Sequence, residues 1–190
     1  SQSQVSTILI TFAVIVVMID GINCSSVAQC LNYYRSGVNY DLNMLQDGQL
    51  YVVYYWPPIS TQREQCQVMS FRKLTNQEVS NETTKCPSSD LSSSATVIEA
   101  SYTNAAKRPV SYMYYGNEEV KRLYRSCDRI YDYLLIQVSE DYVLGINCSK
   151  GGRGMLLSKV RPSAQEVQRV VDSIVIMHGR DGSPDCKLIP

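Results

Sequence analysis

The stretch that decides the fold is Tyr133-Leu-Leu-Ile-Gln-Val-Ser-Glu-Asp-Tyr-Val-Leu-Gly-Ile-Asn-Cys-Ser149, followed by glycines at 151, 152 and 154 and by Met155-Leu-Leu-Ser-Lys-Val-Arg-Pro162. The pattern predicts two short strands, a glycine-rich hairpin turn and a third strand. An amphipathic helix and a late cysteine, Cys186, come after them. This order is typical of the end of a small secreted β-barrel.

Short runs rich in Val, Ile, Tyr and Thr recur along the rest of the chain between turn signals, which favours an all-β protein. One such run stops at Pro57 and Pro58, and the stretch 87–94 reads as a loop because it is rich in Ser and Pro. We predict about eight strands, a number that suits a sandwich or a barrel. They cover 48–56, 66–74, 78–85 (a polar edge strand), 96–103, 110–115, 131–138, 142–148 and 154–160.

One helix is predicted near the end of the chain. Ser163-Ala-Gln-Glu166 has the pattern of a capping box, in which the Ser side chain accepts a hydrogen bond from the third helical amide. An apolar stripe at helical spacing has one face to bury, and Gly179 is the expected stop. The stripe consists of Val167, Val170, Val171, Ile174 and Val175.

The first residues form an uncharged apolar run from Val5 to Ile19. A run of about 15 residues is short for a membrane span and suits the apolar core of a signal peptide. We therefore expect a signal peptide over residues 1–21, with cleavage near Gly21, and one barrel domain over 22–190. The mature protein is expected to be secreted and free of the membrane.

Seven cysteines also favour an oxidising, extracellular compartment. None lies in a C-x-x-C pair, so neither a zinc ribbon nor a thioredoxin-like site is expected, and no metal is predicted. An odd count leaves one thiol free, bonded to another chain, or unpaired because the sequence is incomplete. Sequons begin at Asn23, Asn81 and Asn147, and we expect glycans at Asn81 and Asn147.

The formal net charge is zero, and the sequence pI is about 6.5. That balance argues against a nucleic-acid partner. The densest basic cluster is offset by Glu118, Glu119 and Asp128, so we interpret it as a solvated face. It consists of Lys121, Arg122, Arg125 and Arg129.

The sequence offers few candidate catalytic residues. His178 is the one histidine, and a residue of this type is often found exposed near the end of a helix. Nothing near it resembles a nucleophile elbow. The acidic pairs Glu118–Glu119 and Glu140–Asp141 are sequence neighbours, whose side chains diverge in a strand. We expect no enzyme and no cofactor, although a tyrosine ligand to haem stays open.

Three short motifs between residues 30 and 186 together resemble the lipocalin family, in its divergent arthropod form. Gly48-x-Leu50-Tyr51 is similar to the Gly-x-Trp at the start of the first lipocalin strand. Glu140-Asp141-Tyr142 resembles the turn between the sixth and seventh strands, and Leu157-Ser158-Lys159 resembles the Ser-Arg that ends the eighth. The family's Trp and Arg pack together at the barrel floor, and here both are replaced, by Leu50 and Lys159.

The resemblance implies an eight-stranded antiparallel up-and-down β-barrel with one C-terminal α-helix packed on the outside. It also implies disulfides between Cys30 and Cys148 and between Cys66 and Cys186. A third bond, Cys86 with Cys127, then becomes possible, and Cys24 is left as the odd cysteine. Sequence alone allows many other pairings.

Fourteen tyrosines against two phenylalanines are the oddest feature of the composition. The Gly-x-Trp position would send Leu50, Val52, Tyr54 and Trp56 into the barrel. A glycan on Asn147 would have to face outward, which would send Leu144 and Ile146 inward. We therefore predict Tyr54, Trp56, Leu144 and Ile146 as lining residues. Tyrosines filling the barrel or coating its wall are the plainer alternative to a tyrosine-lined cup for a flat, polar ligand.

Together these observations predict a secreted, lipocalin-like carrier of a small, largely hydrophobic ligand. A rival function is that of a protein-binding inhibitor or effector that uses the barrel surface or the mouth loops. A barrel filled by its own side chains would favour that rival. A third possibility is covalent assembly through Cys24 and the abundant tyrosines.

Overall fold

A computed structural model describes residues 26–190, so the predicted signal peptide and Cys24 lie outside the described residues. The helices are α1 (Ser26–Leu31), α2 (Asn76–Lys85) and α3 (Ala164–Ser173). The strands are β1 (Val38–Asn39), β2 (Gln49–Trp56), β3 (Val68–Lys73), β4 (Val97–Thr103), β5 (Pro109–Tyr115), β6 (Lys121–Ser126), β7 (Arg129–Ser139), β8 (Tyr142–Asn147), β9 (Arg153–Ser158) and β10 (Ser183–Pro184). Short 3-10 turns cover Asn32–Ser36, Leu42–Leu45, Pro87–Ser89, Leu91–Ser93, Cys148–Lys150 and Val175–Met177.

Strands β2 to β9 form a closed antiparallel barrel. Each strand pairs with the next one along the chain, and β9 pairs back with β2. Two short strands are added outside this ring, β1 on β7 and β10 on β2. The predicted fold class is confirmed. Closure leaves no unpaired sheet edge in the ring itself, and eight strands leave room for one small ligand.

The prediction of an edge strand over 78–85 is wrong, because this segment is helix α2. Thr75 Oγ1 accepts from the Glu78 amide at 3.2 Å, and Glu78 Oε2 accepts from the Thr75 amide at 2.8 Å. This reciprocal capping box satisfies two amides that a helix start leaves unpaired. A polar sequence can then form a helix on the barrel surface without an apolar stripe to bury.

The basic segment after residue 120 is strand β6, which the sequence did not predict. Its register sends Leu123 into the barrel, while Arg122 points outward and forms an ion pair with Asp132 at 3.6 Å. Lys121 is buried, its ammonium donates to the Glu118 carbonyl, and its burial lowers its pKa. With three basic residues among its six, the strand resembles a solvated surface segment in the sequence.

The floor of the barrel is closed by the segment that precedes β2. Tyr40, Leu42 and Leu45 are buried in the same apolar cluster as Leu50. Lys159 does not enter the barrel, because its ammonium donates to the Glu140 carbonyl at 2.7 Å on the outer turn. The two residues that replace the expected Trp and Arg thus separate, and leucines close the floor.

Helix α3 lies on the outer wall of the barrel, as predicted. Ser163 Oγ accepts from the Glu166 amide at 3.1 Å and begins the helix. Val167, Val170 and Ile174 are buried in the cluster that the outer faces of β2, β7, β8 and β9 supply. The helix ends at Ser173 rather than near Gly179, since Ile174 leaves the helical backbone conformation and a 3-10 turn follows.

Three disulfides link distant parts of the chain, and all three pairings agree with the expectation. They join Cys30 to Cys148, Cys66 to Cys186 and Cys86 to Cys127. The first two span 118 and 120 residues. In the chain-entropy model, a crosslink over so long a loop stabilises the fold by about 5 kcal/mol.

Across residues 26–190, no helix combines the length and the apolar character that crossing a bilayer requires.

The burial of α3 predicts a large difference between two identical substitutions. Val170 is 3 % exposed and Val175 is 72 % exposed, although the sequence places both on one stripe. We expect Val170→Ala to lower the free energy of unfolding by about 2 kcal/mol because it leaves a cavity under the helix. Val175→Ala should change it by less than about 0.5 kcal/mol. Urea unfolding measures both, and equal losses would contradict this placement of the helix.

Candidate functional site

A β-bulge in β2 decides which side chains face the barrel interior. Val52 pairs with Leu157 of β9, but Tyr54 pairs with the next residue along, Leu156, so Val53 is an extra residue. An extra residue shifts the inside–outside alternation by one position. Val52 therefore points inward, and the next inward side chain is Tyr55.

The bulge turns two predicted lining residues toward the outer face of the wall, and one of them, Tyr54, is absent from the cavity lining. Tyr54 and Trp56 belong to the outer cluster beneath helix α3, with their rings 4.6 Å apart. Trp56 also borders the mouth of the interior cavity, and Tyr54 does not line it. Because the expected alternation assumed an unbroken strand, the bulge overturns the predicted orientation.

In strand β8, the two predicted lining residues, Leu144 and Ile146, point away from the barrel interior. Val143 is buried in the interior cluster, whereas Leu144 and Ile146 are buried in the outer one. Asn147 lines the cavity. The prediction assumed that a glycan turns Asn147 outward. Because Asn147 instead faces the cavity, the inward and outward positions along β8 are the reverse of those predicted. Leu144 and Ile146 support the wall under α3 instead of lining the cup.

The interior holds a cavity of about 740 Å³ at the end of the barrel opposite the leucine floor. That volume lies within the usual range for sites that bind one small molecule. Its walls carry tyrosines, methionines and a leucine, and its rim carries prolines and cations. The lining residues are Tyr55, Trp56, Pro57, Pro58, Ile59, Ser60, Gln67, Met69, Tyr102, Tyr112, Leu123, Arg125, Arg129, Tyr131, Tyr133, Asn147, Lys150, Arg153, Gly154 and Met155.

Tyrosines of β4, β5 and β7 form a connected group in the wall. The rings of Tyr112 and Tyr114 meet edge to face at 5.4 Å, and Tyr114 lies 5.1 Å from Tyr133. Tyr114 Oη donates to Tyr112 Oη at 3.4 Å, and Tyr112 Oη donates to Met69 Sδ at 3.6 Å. A thioether is a weak acceptor, so the Tyr112 hydroxyl can turn to a better acceptor on a ligand.

These buried tyrosines are neutral over the physiological pH range. Burial raises the pKa of Tyr112, Tyr114 and Tyr133 well above the ordinary value of 10. The pKa of Tyr55 is raised to about 12, mainly by burial and next by the Asp185 carboxylate. The wall therefore presents hydroxyl donors and no negative charge.

Two amide side chains in the lining contain buried polar atoms without hydrogen-bond partners in the part of the chain that the structure describes. Gln67 is 7 % exposed, and neither its Nε2 nor its Oε1 has a hydrogen-bond partner among the described residues. Asn147 Oδ1 is likewise buried and unpartnered within that part of the chain. Unsatisfied buried polar atoms destabilise a fold unless something else bonds to them. These atoms are themselves buried, so a polar group of a bound molecule would bond to them only after the side chains turn toward the cavity.

The rim concentrates positive charge. Arg125 lies over the Tyr112 ring, 5.2 Å from its centre, and Lys150 lies 5.1 Å from the centre of the Tyr131 ring. Arg129 and Arg153 complete a set of four cations, and the lining contains no Asp or Glu. Arg125 and Arg129 are exposed, as the interpretation of a solvated face expected, but they also line the mouth, and Lys121 of the same cluster is buried. Only the strand register, which the sequence did not reveal, brings the two arginines to the mouth.

The two predicted glycosylation sites differ in their surroundings. Asn81 is exposed on α2, where it accepts from Gln77 Nε2 at 3.0 Å, so a glycan there can extend into solvent. Asn147 faces the cavity mouth. Both glycans stay predictions. Within residues 26–190, no group of three His, Cys, Asp or Glu side chains is placed to hold a metal ion.

No protein-family model matches the chain, and no curated protein matches it. Among solved structures, lobster apocrustacyanin A1 is similar at 10 % identity over 77 % of this chain and 79 % of that one, with a TM-score of 0.46. The closed eight-stranded barrel itself fits the lipocalin fold.

Burial of the tyrosines predicts how the protein responds to alkali. In nine of them the pKa is raised, first of all by burial: Tyr34, Tyr40, Tyr54, Tyr55, Tyr112, Tyr114, Tyr115, Tyr133 and Tyr142. An unfolded tyrosine ionises near pH 10. The contribution of these groups to stability is thus complete below pH 10 and is lost as the pH rises above it.

We expect tyrosinate absorbance at 295 nm in the native protein to lag behind that of the protein unfolded in guanidinium from pH 10 upward. The free energy of unfolding should fall over the same range. Superimposable titration curves for the two states would show that the tyrosines are accessible to solvent.

Proposed function

We propose that this protein is a secreted carrier that binds one small molecule in the tyrosine-walled cavity of its barrel. The observation that carries the proposal is the cavity itself, which is about 740 Å³ in volume and is lined by aromatic and apolar side chains together with polar and basic ones. Burial of apolar surface supplies affinity in such a site, and a few polar groups fix the orientation.

The lining favours a ligand with a flat apolar body and polar edges. Ring faces and edges of Tyr55, Tyr102 and Tyr112 offer contact area to a planar group. Once turned toward the cavity, the unpartnered side-chain amide of Gln67 can bond to either a donor or an acceptor on the ligand. A purely aliphatic ligand would leave that amide unsatisfied.

An open interior supports this function over its rival. A protein-binding inhibitor does not need a cavity, and we would expect its barrel to be filled by side chains. The absence of a recognisable set of catalytic residues in the sequence supports a carrier rather than an enzyme. Three disulfides are consistent with a secreted protein that functions in an oxidising compartment.

Uptake of N-phenyl-1-naphthylamine, an uncharged probe that fluoresces in apolar surroundings, tests the proposal. We expect the wild-type protein to bind one probe per chain. Leu123→Trp places a large ring in the cavity, because Leu123 is a lining residue, and it should weaken binding about ten-fold or more.

Val175→Trp is the matched control, because it adds the same ring at a position 72 % exposed on the outside. It should bind the probe as the wild type does. Thermal unfolding of both variants separates a blocked cavity from a lost fold. No uptake by the folded wild type, or equal uptake by folded Leu123→Trp, would contradict binding in this cavity.

A further inference from the structure

We propose that the ligand carries an anionic group, and that the four cations at the rim of the cavity hold it at the mouth while its body lies among the tyrosines. This inference rests on the proposed carrier function and specifies the chemical class of ligand. The cations are Arg125, Arg129, Lys150 and Arg153. The ligand is thus a small anionic amphiphile whose charged end faces solvent.

The charge distribution is the first support. The chain has 18 basic and 18 acidic residues and no formal net charge. Four of the basic residues nevertheless line one cavity whose lining includes no acidic residue. A concave site with charge of a single sign concentrates counter-charged molecules and speeds their association.

The rim cations form no ion pair with an acidic side chain, whereas five other basic residues of the described chain do. Arg122, one residue before Leu123 on the opposite face of β6, pairs with Asp132, and Lys187 pairs with Glu64 at 2.6 Å. Over residues 26–190, no acidic side chain lies within 4.0 Å of the charged groups of Arg125, Arg129, Lys150 or Arg153. Their charges are available to a ligand.

Aromatic rings hold two of the cations in position. Arg125 lies over Tyr112 and Lys150 over Tyr131, and both rings belong to the cavity wall. A guanidinium stacked on a ring keeps its edge N–H groups free for a carboxylate or sulfonate, which it can bind through two parallel hydrogen bonds. The same rings reach down into the cavity, so one molecule can contact a ring and a cation together.

The interior below the rim determines the orientation of the ligand. Met69, Leu123 and Met155 line the inner part, and the tyrosines beside them are neutral. A charged group placed there would lose its hydration without gaining a cation. An anion is therefore stabilised only at the mouth, with the apolar body pointing inward.

Two probes that differ by a single group test the inference. 1-Anilinonaphthalene-8-sulfonate has the same ring system as N-phenyl-1-naphthylamine and adds one sulfonate. Arg125→Gln combined with Lys150→Gln removes two rim charges. We expect this double variant to bind the sulfonate probe about ten-fold more weakly than the wild type does and to bind the uncharged probe within about two-fold.

Arg122→Gln combined with Lys187→Gln is the matched control, since it removes two exposed cations that do not line the cavity. It should bind both probes as the wild type does. Raising the salt concentration should weaken binding of the sulfonate probe to the wild type and leave the uncharged probe unaffected.

The outcomes separate the two proposals. Two results overturn the anionic ligand and leave the carrier function standing, provided that the wild type binds both probes. In the first, the rim variant binds the sulfonate probe as tightly as the wild type does. In the second, the rim variant stays folded and loses both probes equally. If the folded wild type binds neither probe, the carrier function fails and the inference fails with it. If the control variant loses the sulfonate probe as strongly as the rim variant, the effect belongs to overall charge and not to the mouth.

Discussion

Closure of the barrel through β2 and β9 is the constraint on which the rest of the structure depends, and the bulge at Val53 is its decisive detail. The extra residue takes the Val53 carbonyl out of the regular ladder, and this carbonyl accepts from the Asp185 amide at 3.0 Å. Asp185 is buried. Its carboxylate accepts from the backbone N–H of Gln67 at 3.1 Å and forms an ion pair with Arg63. The Cys66–Cys186 disulfide holds the tail beside it, so the end of the chain stabilises the irregular part of the first barrel strand.

That arrangement gives the barrel two different ends. Before the bulge, Leu50 and Val52 point inward and join the leucine floor. After it, Tyr55 points inward at the cavity, while Tyr54 and Trp56 turn outward under the C-terminal segment. A single inserted residue thus allows one strand to seal the floor, line the cavity and anchor the outer helix.

Sequence patterns predicted the architecture well and the site poorly, for reasons that particular residues make clear. Alternation and turn residues identified seven barrel strands, but the predicted total of eight was reached by counting helix α2 as a strand and missing β6. The capping pair Thr75 and Glu78 was a readable signal for α2. The bulge at Val53 has no such signal, because it arises from pairing with β9, and a one-residue shift moves every later side chain to the other face. The position of Arg125 at the mouth was missed for the same reason, since it depends on register.

Native mass spectrometry of the protein, purified without denaturant from the fluid or cells in which it occurs, tests the central claim most directly. The account predicts one small molecule per chain, released on unfolding and carrying an acidic group on a flat, largely apolar body. A protein that is bare in every preparation, and whose mass does not shift when an apolar probe is added in excess, would contradict it.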